Sequence, residues 1–362
     1  MDVAHTHDVC VLGAGPAALS VAARLLALGR EVAVVDRPVT VRPWGGESFT
    51  AAIRGPLAVL GLWDAFAKAD HVRGYERQVA WGGDPLSEST LVQPGGHMWH
   101  VDRTRFDTDF REAICARGGV FVYGGRLRNI DRAATYWRLA LDEGVELTAR
   151  YLVDATGRSR ALAKRLGARS SFHDRLIGLV GAAPADSGLF RAVAMMIQST
   201  PFGWWYAAPV PQGRVVALFT DADLAALAVR QRLRPVPANS VFTDAPVETG
   251  WLAVGDACAA HDPLCGWGVV RAMSNGIRAA DAIHEHLCTG RVSSLAEYRD
   301  HCRKQFEDYL AGLTRRYRMV QRWPYAPFWA RRIREQGRKG GENGDVAESA
   351  DISVDRDRSH RQ

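Results

Sequence analysis

The sequence predicts an α/β protein: a doubly wound dinucleotide-binding domain opening at the N-terminus, an inserted antiparallel-sheet domain, and helices at the C-terminal end. Three observations carry this. Asp8 to Leu12 is a short apolar run that passes through Gly13-Ala14-Gly15-Pro16 into a helix-periodic stretch ending near Leu28, with a second apolar run at Glu31 to Val35. Between Val180 and Thr220 apolar runs alternate at strand spacing. Trp251 to Val254 is one more short apolar strand, which leads through a glycine-punctuated turn into a long helix of small residues, Gly268 to Cys288.

Taken in order, Pro16 sits near the first helical turn, where its missing N–H costs nothing, and Gly29 marks the helix stop. Asp102 to Arg117 has helical periodicity, Val120 to Tyr123 reads as a strand, and Tyr136 to Ala140 and Glu146 to Ala155 read as two more. Val193 to Gln198 and Val215 to Thr220 belong to the antiparallel layer, and two further helices extend to about Arg334. The resulting division is 1–75, 98–167 and 245–292 for the dinucleotide-binding domain and 76–97 with 168–244 for a substrate domain. Residues 293–335 form a C-terminal helical region, and the tail 336–362 is too poor in aromatic and branched residues to order itself.

The chain has 362 residues, 47% hydrophobic and 24% charged, enough to bury a full core and too ordinary for a disordered or coiled-coil protein. Net charge is +6, with most of the excess between Arg315 and Lys339, and no basic stripe interleaved with aromatics reaches the motif-bearing region. Nucleic acid is therefore not an expected partner. Six cysteines (Cys10, Cys115, Cys258, Cys265, Cys288, Cys302) show neither a CxxC pair nor zinc-site spacing, so no metal is expected and reduced thiols in a cytoplasmic protein are. Met1 to His5 lacks the basic start of a secretory signal. Gly13, Gly15 and Pro16 interrupt the only long apolar stretch, so membrane insertion is not expected.

Gly13, Gly15 and Ala18 stand at the spacing of a dinucleotide fingerprint, between a strand and a helix, and Asp36 ends the next strand. Gly13 permits the turn, and Gly15 lets the backbone approach a pyrophosphate held at the helix N-terminus by Pro16 and Ala17. Ala18 keeps helix and strand close, and Asp36 would accept hydrogen bonds from a ribose. The fingerprint alone does not separate NAD from FAD.

Two distant segments do. Leu152-Val153-Asp154-Ala155-Thr156-Gly157-Arg158 and Val254-Gly255-Asp256-Ala257-Cys258 resemble the later motifs of FAD enzymes in the p-hydroxybenzoate hydroxylase structural class. In that resemblance Gly255 and Asp256 hold the flavin ribityl chain. Gly266, Trp267 and Gly268 then offer backbone donors to the pyrimidine edge, with Pro263 shaping the turn beside it. Between Val9 and Arg332 the chain further resembles a subfamily related to the tryptophan halogenases, which includes flavoproteins that mature tryptophylquinone cofactors. The segments that carry this are Gly45-Gly46-Glu47-Ser48-Phe49, Val101 to Asp107, Gly203-Trp204-Trp205-Tyr206-Ala207-Ala208-Pro209, Asp262-Pro263-Leu264, and Arg322-Trp323-Pro324 with Pro327-Phe328-Trp329. It implies FAD as cofactor, Glu47, Ser48 and Arg103 near it, and oxygenation of a tryptophan within a partner protein or peptide by a monomeric enzyme. Electrons would come from NADH or NADPH, bound transiently, or from a separate reductase.

The chain departs from the halogenase signature, with Tyr206 and Ala208 where Trp and Ile stand, and has no counterpart of the catalytic lysine beyond Lys68. Cys265 stands where the quinone-maturing relatives carry serine. Each candidate has a second reading. Glu47 is a proton acceptor or a flavin-loop anchor, and His261 is a neutral base or a ring bonded to a nearby carbonyl. Cys265 is a redox thiol or a space-filler, and Trp204, Trp205 and Tyr206 line an aromatic pocket or belong to the sheet core. Arg315 to Arg332 docks a partner or an acidic surface, or is a solvated helix face. The rival activities are a small-molecule hydroxylase, a reductase of the geranylgeranyl type, and a non-catalytic flavin-binding chaperone.

Overall fold

A computed structural model describes residues 6–36, 46–69, 71–83, 86–89, 96–123, 126–183, 194–210, 213–228 and 233–334. Gly45, the tail 336–362 and the side chain of Glu47 lie outside the described set.

Thr6–Leu12 forms the central strand because its apolar residues are buried on both faces, as a parallel strand requires. It pairs in parallel with Val32–Asp36 on one side and Glu146–Asp154 on the other, joined to the former by the helix Pro16–Ala27. The path of this sheet continues to Val120–Tyr123 at one end and to Trp251–Ala253 and Val247–Glu248 at the other. Leu127–Arg132 and Trp137–Leu141 form an antiparallel meander onto Glu146–Asp154, completing eight strands.

Two helices cover one another on this sheet. The long helix Gly268–Thr289 packs against Pro16–Ala27, and the glycines allow it: a Cβ at Gly276 would lie 2.7 Å from the Ala17 carbonyl oxygen. A Cβ at Gly255 would lie 2.8 Å from the Ala17 Cβ, so Ala17 is gripped from two distant parts of the chain. Each fully buried Leu, Val or Ile in this core contributes about 1.5–3 kcal/mol relative to exposure. The helix expected over Asp102 to Arg117 is Arg103–Cys115, started by the Asp102 carboxylate, which accepts from the Arg105 N–H at 3.1 Å.

The second sheet has seven strands: Arg234–Pro237, Leu176–Ala183, Gly213–Asp221, Gly203–Val210, Ala194–Thr200, Glu76–Ala80 and Leu86–Ser89. It is antiparallel except where Ala194–Thr200 runs parallel to Glu76–Ala80. A three-stranded sheet of Gly46–Phe49, Met98–Asp102 and Val72–Gly74 is a further element, lying against Gly203–Val210. Ser293–Arg318 and Pro327–Arg334 are the two C-terminal helices.

Candidate functional site

The helix Pro16–Ala27 starts directly after the glycine turn that follows the strand Thr6–Leu12. Its N-cap is Gly15, so no side chain caps the first turn and its N–H groups remain available to an anion. Gly15 has extended backbone, and a Cβ on it would meet nothing within 4 Å among the described residues. Gly13 serves differently: at φ +105° it lies against the strand end, and a Cβ would sit 2.3 Å from the Ala155 carbonyl oxygen. Ala18 is fully buried, as close helix–strand packing requires. Asp36 ends the second strand, and its carboxylate accepts from Arg111 Nη2 at 2.5 Å.

The glycine-flanked loops of the later motifs converge on the same edge of the sheet. Asp154 is buried and organises the turn after its strand, accepting from the Thr156 N–H and hydroxyl and from the Ala163 N–H. Arg158 then reaches across. It donates to the carbonyls of Asn239 at 2.6 Å and His261 at 2.7 Å and stands 3.4 Å from the Asp256 carboxylate. The Asp256 side chain is 44% exposed, at a cleft with Gly255 and Gly268 whose inner wall includes His261, Arg271 and Asn275.

The turn Pro263–Cys265 is fixed from below. Asp262, fully buried, accepts from the Leu264 N–H at 2.8 Å and from the Tyr317 hydroxyl at 2.6 Å, and burial pushes its carboxyl up to about 6. The Asp262 N–H donates to Tyr309 Oη at 2.7 Å. Above the turn Pro263, Gly266, Trp267 and Gly268 are exposed, Trp267 by 46%. Trp267 is the N-cap of the helix Gly268–Thr289 and gives no side-chain cap, so this second helix start also presents N–H donors.

His261 is buried with its ring edge-on to Tyr309. Burial first, then Arg271 and Arg158, hold it well below the usual imidazole range, so it is neutral. Its ring bonds the Ala259 backbone, and Nε2 has no hydrogen-bond partner among the described residues. Burial likewise raises the Cys265 thiol. Arg103 is buried, with its guanidinium on Asp107 one turn along.

Of the three aromatic residues read as pocket lining, Trp204 needs correction. It is 1% exposed, stacked on Phe219 at 4.1 Å between ring centroids, and its indole N–H donates to Tyr317 Oη. It is therefore a core residue, shared with Trp81 and Trp329. Trp205 and Tyr206 are half-buried, and Tyr206 Oη lies 2.8 Å from Ser48 Oγ. Sequence reading placed Arg158 in the second motif without its clamp and missed Tyr309 and Tyr317, because these contacts form across the fold.

An uncapped helix start at Gly15, an acid at the end of the second strand, an exposed acid after Gly255, and a second uncapped helix start suit FAD. This fold and site define a flavoprotein oxidoreductase. The chain belongs to the FAD binding domain family, which matches residues 6–222. It is 26% identical to the FAD-dependent oxidoreductase LodB of Marinomonas mediterranea over 362 aligned residues, covering 90% of this chain and 97% of that protein. Its fold superposes on the flavin-dependent halogenase CmlS with a TM-score of 0.78 at 21% identity, covering 91% of this chain and 68% of that one. For the peptidyl tryptophan dihydroxylase QhpG, essential for tryptophylquinone cofactor biogenesis, the TM-score is 0.73 at 26% identity, covering 95% of this chain and 81% of that one. Among the described residues no helix is long and apolar enough to cross a membrane.

Proposed function

We propose that this FAD-dependent oxidoreductase hydroxylates a tryptophan held in a partner protein or peptide. The observation that carries the reading is the likeness to QhpG, which spans 95% of this chain at 26% identity. Tyr206 and Ala208 depart from the halogenase signature, which favours oxygenation over halogenation.

In this reading the first turn of Pro16–Ala27 receives the pyrophosphate through backbone N–H groups, with Gly13 and Gly15 shaping the approach. Asp36, held by Arg111, takes the adenosine ribose, and Asp256, held by Arg158, takes the ribityl hydroxyls. The exposed backbone from Gly266 to Gly268 faces the pyrimidine edge, and Asp262 and Tyr317 keep that turn in place. When bound, the reduced flavin supplies the activation of dioxygen that hydroxylation needs. Trp205 and Tyr206 orient the substrate ring, and Ser48 lines the flavin side next to Glu47, the proton acceptor or flavin-loop anchor of the sequence reading. The single dinucleotide fingerprint leaves electron delivery to a transient NADH or NADPH, or to a separate reductase. The segments 1–75, 98–167 and 245–292 act as the FAD-binding unit, with the seven-stranded sheet as the substrate unit.

The test is direct. Reduced enzyme, oxygen and the precursor polypeptide of a tryptophylquinone enzyme are combined, and the precursor is weighed and fragmented. Added oxygen mapped to one tryptophan supports the reading. Oxygen inserted into free tryptophan or another small aromatic, with the precursor untouched, overturns it.

A further inference from the structure

A polar chain runs from Tyr206 through Ser48 to His100 at the seam between the seven-stranded and three-stranded sheets. Ser48 Oγ lies 2.8 Å from Tyr206 Oη and 2.8 Å from His100 Nδ1. Ser48 and His100 are register partners in the three-stranded sheet, whereas Tyr206 belongs to the seven-stranded one. His100 is fully buried, and its Nε2 has no hydrogen-bond partner among the described residues. Gly74 packs against that nitrogen so closely that a Cβ there would lie 2.3 Å from it. Burial first, then the guanidinium of Arg214, lower the imidazole to about 4, so the ring is neutral at working pH and one of its nitrogens accepts. A serine hydroxyl has one proton. It donates to one neighbour and accepts from the other, so the direction of the whole chain turns on the His100 tautomer.

We propose that His100 is the terminal proton acceptor of the hydroxylation, a positioning residue that acts through Ser48 and Tyr206. The inference rests on the reading that an aromatic ring is the substrate. Once a ring carbon has taken oxygen, its C–H bond breaks and the electron pair returns to the ring. The proton goes to the Tyr206 oxygen, the Tyr206 proton passes to Ser48 Oγ, and the Ser48 proton passes to His100 Nδ1, leaving an imidazolium. Only protons move in this step. A tetrahedral ring carbon is strongly acidic because losing its proton restores aromaticity, so a base as weak as this buried imidazole suffices. Its weakness keeps it unprotonated and ready between turnovers.

Two measurements test this. Nitrogen-15 histidine spectra of the flavin-free protein are expected to show His100 neutral between about pH 5 and 8, with Nδ1 as a bare acceptor whose shift moves in Ser48→Ala. An Nδ1-protonated ring, or titration near the ordinary 6.5, overturns the proposal. For the second, the precursor polypeptide is made with ring-deuterated tryptophan. Wild type and Ser48→Thr, which keeps the hydroxyl, are expected to hydroxylate both forms at equal rates. Ser48→Ala and Tyr206→Phe are expected to lose about a hundredfold and to show a primary deuterium effect. Equal losses on both precursors would mean a merely structural role and overturn the relay. A wild type that leaves both precursors untouched removes the function reading, and the substrate-free spectra tell that failure apart.

Discussion

Replacing Gly15 by leucine separates cofactor binding from folding. Gly15 lies at φ −83° and ψ 178°, open to any residue, and a Cβ there meets nothing within 4 Å among the described residues. The flavin-free protein is expected to change by less than about 0.5 kcal/mol, as for substitutions that touch no neighbour. In the loaded protein the side chain takes the ground of the pyrophosphate over the uncapped helix turn. Two charge-assisted hydrogen bonds lost at about 1.5 kcal/mol each give about 3 kcal/mol, or roughly a hundredfold in affinity. Gly13→Ala is the counterpart: its Cβ would sit 2.3 Å from the Ala155 carbonyl oxygen at φ +105°, so the fold itself suffers. A loss of about 2–3 kcal/mol is expected there. Flavin released by heat from the purified proteins is quantified, and the flavin-free forms are melted. A Gly15→Leu protein with full FAD, or a flavin-free Gly13→Ala protein that melts like wild type, would refute the reasoning.

Trp204→Ala is expected to cost about 3–5 kcal/mol in urea unfolding, against well under half of that for the half-buried Trp205→Ala; equal losses would return Trp204 to the surface of a pocket. Asp262 stands at about 6 when folded against an ordinary 3.8, so the folded protein holds a proton that the unfolded chain releases. Stability is therefore fully present below the unfolded value and falls as pH rises from about 4 to about 6, by up to about 3 kcal/mol. Asp262→Asn should flatten that fall in unfolding curves taken at pH 4 and 7, and an unchanged slope would place the effect elsewhere. Cys265→Ser should keep FAD and most turnover, because burial holds the sulfur as a thiol; complete loss of turnover with normal flavin content would point to thiol chemistry.

What the sequence shows most plainly is what local chemistry determines. Gly13 and Pro16 announce a strand-to-helix turn, Gly13 because its φ of +105° and the nearby Ala155 carbonyl leave no room for a side chain, Pro16 because it suits a first helical turn, and the helix over Gly268–Thr289 follows from its small residues. The strand Gly46–Phe49 is short and gains its partners from Met98–Asp102, so no periodicity reveals it. Arg158 meets Asn239 and His261 only after the chain has folded, and Tyr317 reaches Asp262 from the far end of a C-terminal helix. Trp204 and Tyr206 lie two residues apart on one strand, yet one enters a core finished by Trp329 and the other meets Ser48. Neither destination is written in the strand itself.

The double grip on Ala17 bears on how the protein is made. The phosphate-facing helix leaves the ribosome early, but Gly255 and Gly276, which close on it, emerge roughly 10 to 50 seconds later at ordinary synthesis rates. Until then the first helix lacks its neighbour and the strand–turn–helix start is a half-built cradle. Loading of the cofactor is thus a late event that awaits the C-terminal third of the chain, and a ribosome stalled before residue 276 would hold a nascent protein with every early fingerprint residue and no firm hold on its flavin.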